Sequence, residues 1–151
     1  MAGKFKLQTV LNYRQSLEDQ AQQVLSTTLQ RQSEFDLKLQ QQQQNLHQYD
    51  RDQYDRDLKQ RQQEGLTVAE MDLYESQIQH CRHLIKEIQS HLQQLEQQVI
   101  VERTELLHAA RERQVMEKLK DKQEAAYQQE LSHQERVMLD EISLRNKGND
   151  S

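Results

Sequence analysis

Proline and tryptophan are absent from this chain of 151 residues, cysteine occurs once, and glycine occurs three times. Aromatic residues make up 5% and hydrophobic residues 34%. Each shortage excludes something. A globular domain averages about 45–50% apolar residues, with roughly 7% Gly and 5% Pro. This chain therefore cannot build the wide, multilayered core that encloses a buried active site. With so few turn-forming residues, turns must be rare. The lone Cys81 leaves no intrachain disulfide, which fits a reducing compartment. No run of about 18 apolar residues exists, so no membrane span is expected. The opening Met-Ala-Gly-Lys-Phe-Lys lacks the apolar stretch of a secretory signal, so none is expected there. A net charge of −5 argues against nucleic acid as the main partner.

What is present is glutamine, 29 residues of it, and 30% charged side chains. Such polarity also marks disorder, and the spacing of the apolar residues decides against it. From Met71, steps of three and four give Met71, Tyr74, Ile78, Cys81, Ile85, Ile88, Leu92, Leu95, Val99, Glu102, Leu106 and Ala109. All but Glu102 are apolar, a sustained coiled-coil seam. The register continues more weakly through Arg113, Met116, Lys120, Gln123, Tyr127, Glu130, Gln134, Val137, Glu141 and Leu144. An earlier stripe holds Leu11, Leu17, Ala21, Val24, Leu25, Thr28, Phe35, Leu39, Leu46 and Tyr49, interrupted by Arg14, Gln32 and Gln42. The run Gln40 to Gln44 reads as solvated helix, glutamine being a good helix former.

One punctuation mark divides the two stripes. Gly65 is the only glycine away from the ends, suited to the left-handed residue just past a helix. Thr67 and Glu70 form a capping box for the next helix, with Leu66 and Met71 as its hydrophobic staple. The expectation is an all-α fold: two long helices forming an antiparallel coiled-coil hairpin with one turn near Gly65, a single domain over 1–151. Helix one spans about 5–62, the turn 63–67, helix two about 68–145, and a frayed tail 146–151. At 1.5 Å per residue the helices are roughly 87 and 117 Å long. Helices this polar are not stable alone, so pairing must hold them.

Folding back at Gly65–Leu66 sets residue i opposite roughly residue 131 − i. The strong half of helix two, 71–109, then faces 22–60, the weaker half of helix one. Leu84, Ile100, Val101 and Leu107 lie off the seam. Surplus apolar surface on a thin coiled coil marks a protein-binding face; its bland alternative is a wide seam or self-association. Charge is polarised too. In 1–33, Lys4, Lys6, Arg14 and Arg31 outnumber Glu18 and Asp19. In 111–122, Arg111, Arg113, Lys118, Lys120 and Lys122 outnumber Glu112, Glu117 and Asp121. The hairpin gathers these into a basic collar, while 34–64 and 65–110 are net acidic. A collar is either a solvated face or a means of orienting a partner.

Catalytic chemistry finds little footing. No glycine-rich loop could cradle a phosphate. His80-Cys81-Arg82-His83 carries metal-capable side chains, but no second cluster completes a ligand set, and Cys81 fits the seam as a small hydrophobe. The many carboxylates have no pocket to tune them. The reading is a non-enzyme with no cofactor, no metal and no small-molecule substrate.

Three groups of residues carry a family resemblance. The first is Phe5-Lys6-Leu7-Gln8-Thr9-Val10-Leu11-Asn12-Tyr13-Arg14 with Glu18 and Ala21. The second is Tyr54-Asp55-Arg56-Asp57-Leu58, then Gly65-Leu66-Thr67 and Tyr74. The third is Glu117-Lys118-Leu119-Lys120, Tyr127 and the run Gln134 to Glu141. In this order and spacing the chain resembles the flagellar export protein FliJ family. The resemblance implies a cytosolic component of the flagellar type III export apparatus, like the central stalk of rotary ATPases. Its paired termini would enter the hexameric export ATPase, its turn-side half would meet the membrane export gate, and it would handle export chaperones. It would sit at the inner face of the cell membrane through protein contacts alone.

The implied gate-binding residues are Leu46, Tyr49, Tyr54, Ile78, Cys81, Leu84 and Ile88. The ATPase-binding candidates are Phe5, Leu7, Leu11, Arg14, Lys118, Leu119, Lys120 and Lys122. Gln77 stands where the family often has an aromatic, and the two tyrosines are five apart rather than four. The rival expectations are the stalk of a virulence type III secretion system and a generic dimeric coiled-coil scaffold. Sedimentation separates a monomeric stalk from the scaffold.

Overall fold

The computed structural model of the chain describes residues 6–62 and 68–149. Apart from Lys6 and Leu7, every described residue is helical: α1 is Gln8–Gln62 and α2 is Val68–Asn149. The two helices pack against each other, in keeping with the antiparallel hairpin expected. The expected turn at 63–67, with Gly65 and the Thr67 cap, lies outside the described residues, as does Phe5. Helix α1 starts somewhat later than expected; its Leu11 N–H donates to the Leu7 carbonyl at 3.0 Å. Helix α2 runs on to Asn149 rather than ending near 145. Nothing between 132 and 147 breaks a helix, and Lys147 in the last turn complements the negative C-terminal pole.

The chain forms two compact units. The unit 23–104 holds most of the core. Leu25, Ile78, Cys81, Ile88, Leu95 and Val99 are buried, together with the polar Thr28 and Glu102. Half-buried side chains continue the same spacing: Gln32, Phe35, Leu39, Gln42, Leu46 and Tyr49 on α1, and Tyr74, Ile85 and Leu92 on α2. Gln32 and Gln42 thus sit in the seam rather than interrupting it. A long amide can turn its methylenes inward and its polar end outward. Antiparallel pairing is fixed by named contacts. Phe35 stacks on His91 with centroids 5.2 Å apart, and the Cys81 thiol donates to the Gln42 carbonyl at 3.2 Å.

The second unit joins residues up to 22 with 105 onward. Its only buried hydrophobic residue, among those described, is Leu11. The half-buried positions are Gln8, Arg14, Leu17, Glu18 and Ala21 on α1 and Leu106, Ala109, Ala110, Glu112, Arg113, Met116, Lys120, Gln123, Tyr127 and Leu131 on α2. Here ions replace apolar packing. Arg14 pairs with Glu112, and Arg113 pairs with Glu18. The last half-buried position is Leu131, one residue past the expected Glu130. A straight helix drifts about 20° per heptad from a 3.5-residue repeat, enough to move the inner position by one.

Candidate binding surfaces

The gate-side candidates fall into three environments. Ile78, Cys81 and Ile88 are buried in the seam, where their first role is packing. Leu46, Tyr49 and Leu84 are half-buried at its edges. Tyr54 is 65% exposed, so Tyr49 is the tyrosine that keeps the register. Of the surplus apolar residues, Ile100, Val101 and Leu107 are exposed.

Cys81 has no free surface on which to react. Burial pushes its thiol above the ordinary 9.0, and the nearby charge of Asp50 adds to this. The folded state therefore favours the neutral thiol. The stability this contributes is fully present below about pH 9 and is lost as pH rises through the folded value. At pH 7 a maleimide should label Cys81 many times more slowly in the folded chain than in urea. Equal rates would place the thiol at the surface.

The ATPase-side candidates divide differently. Leu11 is buried, while Leu7 and Leu119 are exposed. Arg14 is engaged with Glu112, which also receives His108 at 3.1 Å. Arg113 meets Glu18 and, at 2.8 Å, Glu117. Glu18 first and Glu117 second hold the Arg113 guanidinium further into its charged form. Two cations of the expected collar are thus internal ties between or along helices. Lys118 and Lys122 are exposed and Lys120 half-buried; none of them forms an ion pair among the described residues. The interhelical ties were missed because the collar was read as net charge. The signal was available: folding back at Gly65 sets position 18 opposite 113, which carries the opposite sign.

A further surface lies beyond Leu131. Every residue from 132 to 148 is exposed, and among them are Val137, Met138, Leu139, Ile142 and Leu144, at 44–69%. A helix of this length is marginal in water without a partner, and the five apolar side chains, spread around more than half of the helix at about 100° per residue, are left uncovered. On the a/d register this stretch is a weakening seam; the structure leaves all of it exposed.

Among the described residues no helix is long and apolar enough to cross a membrane, and no group of three or more His, Cys, Asp or Glu could hold a metal ion. The sequence profile described as flagellar FliJ protein matches residues 3–150. The chain belongs to that family and is a component of the flagellar type III export apparatus. No curated protein and no solved structure gives a significant match.

Proposed function

We propose that this FliJ-family chain is a non-catalytic, stalk-like linker between the hexameric export ATPase and the membrane export gate. It also hands on export chaperones during flagellum assembly. It works in the cytoplasm, held at the inner face of the cell membrane by protein contacts. The observation that carries this reading is the uneven covering of α2. Its stretch beyond Leu131 leaves five large apolar side chains uncovered, and it lies on the same helix beyond the unpaired Lys118 and Lys122. A helix end that carries unpaired lysines and, further on, uncovered apolar side chains suits insertion into a partner. Tyr54 and the half-buried Leu84 offer the turn-side half a second, separate contact of the residue types favoured at interfaces. The family match weighs for the flagellum over a virulence secretion system.

Two sets of substitutions test the division of labour. Lys118→Glu, Lys120→Glu and Lys122→Glu together should weaken binding to the ATPase at low salt and spare the gate. Leu84→Ala with Tyr54→Ala should do the reverse. Loss of an interface anchor costs about 2 kcal/mol or more, roughly thirtyfold in affinity. Thermal melts should stay close to the parent's. The linker reading fails if both sets leave both affinities unchanged in chains that melt normally.

A further inference from the structure

Within the unit 23–104, α1 and α2 border an open groove of about 480 Å³, lined by Leu46, Gln79, Arg82, His83, Ile85, Lys86 and Gln89. Leu46 and Ile85 are half-buried and form an apolar floor; Arg82 and Lys86 are exposed above it. We propose that this groove docks an acidic, amphipathic helical segment of a partner protein. Its apolar side chain would seat on Leu46 and Ile85, and its carboxylates would meet Arg82 and Lys86.

Charge is the main argument. Residues 65–110 are net acidic, and their only cations are Arg82, Lys86 and Arg103. Two of these three stand one helical turn apart on this single groove, where they would form an i,i+4 pair of like charges. That arrangement is mildly destabilising in an isolated helix. Neither has an ion-pair partner among the described residues. No carboxylate lines the groove. His83 adds no free charge, because Glu87 holds it at 3.1 Å. The neighbouring hollow shows the contrast. It too is bordered by Arg82, but there two carboxylates, Asp57 and Glu75, share the lining with Arg56 and Arg82, and the Arg56 guanidinium lies over the Tyr74 ring. Of the two hollows, the Leu46–Ile85 groove is the one lined by cations with no carboxylate among them.

This face is also not the one that Leu84 belongs to. At about 100° per residue, Leu84 and Lys86 lie some 200° apart around α2, on opposite flanks of Ile85. On α2, a partner seated on Leu84 and one seated between Arg82 and Lys86 would therefore use different side chains; Leu46 on α1 is the gate candidate that the groove shares.

The probe is a capped helical peptide bearing one leucine flanked by glutamates a turn away on each side. It is titrated into the full chain labelled with nitrogen-15. Saturable shifts should cluster at Leu46, Arg82, Ile85, Lys86 and Gln89 and should fade as salt rises. The doubly reversed chain, Arg82→Glu with Lys86→Glu, should bind at least about tenfold more weakly. Its helix content and melt should stay unchanged, since both side chains are exposed. A peptide with lysine for glutamate should not bind. The proposal is overturned by absence of saturable shifts, by shifts centred elsewhere, or by equal binding to the reversed chain. It is overturned as well if sedimentation without peptide shows the parent chain dimerising and the reversed chain monomeric, which would assign the groove to a second copy.

Discussion

Replacing Ile88 with alanine should lower the melting temperature by roughly 4–20 °C. Among the described residues the buried hydrophobic core holds seven side chains, so each is a large part of it. Ile88 is one of six in the unit 23–104, and only 9% of it reaches solvent. Truncating a buried isoleucine removes its transfer free energy and leaves a cavity, together about 2–5 kcal/mol. For a chain of this length each kcal/mol moves the melting temperature by about 2–4 °C. A two-helix seam has no second layer to collapse into the gap. Leu84→Ala should cost clearly less, because Leu84 already meets water at the edge. The pair matters because both residues carry the family's gate-binding resemblance. Melts followed by circular dichroism, with gate binding measured well below both transitions, separate the roles. If Ile88→Ala melts like the parent yet loses the gate when folded, Ile88 is an interface anchor and its burial is incidental.

The division of this chain into two helices was legible because the signals agreed. The seam from Tyr74 to Val99 keeps one spacing, and the buried residues Ile78, Cys81, Ile88, Leu95 and Val99 fall on it. Two features escaped the same logic. Arg14, Gln32 and Gln42 looked like breaks because hydropathy scores the whole side chain. Their long stems can lie in the seam while the polar ends find partners, as Arg14 does on Glu112. The groove at Arg82 and Lys86 escaped because pairing decides which charges remain unpaired, and charge counts along one chain do not contain it. The uncovered stretch beyond Leu131 is legible only in part. Its apolar residues are plain in the sequence, but their exposure depends on how far α1 extends alongside.

Glu102 is the one polar residue in the strong seam of α2 between Met71 and Ala109. Glu102 is 6% exposed among apolar neighbours in the register. One carboxylate oxygen, Oε1, accepts from Thr28 Oγ1 at 2.9 Å and from Gln98 Nε2 at 2.9 Å. The other, Oε2, is buried without a hydrogen-bond partner, and no ion pair reaches Glu102 among the described residues. An unsatisfied buried acceptor costs about 1–3 kcal/mol, more when charged. Leucine at this position would remove that cost and add apolar burial. The partners left behind are provided for. The single Thr28 hydroxyl proton can turn to the Val24 carbonyl, 3.2 Å from Oγ1, and Gln98 is exposed and can turn to water. Glu102→Leu should therefore stabilise the chain by about 1–4 kcal/mol, the gain seen when buried ionic groups give way to well-packed hydrophobes. Glu102→Gln should fall between, since it removes the charge but keeps an acceptor for Thr28. Denaturant melts on the three chains rank them. An order with glutamate most stable would mean that the Thr28–Glu102–Gln98 contacts outweigh the orphaned oxygen, and that this polar site is a clamp between α1 and α2 rather than a weak point.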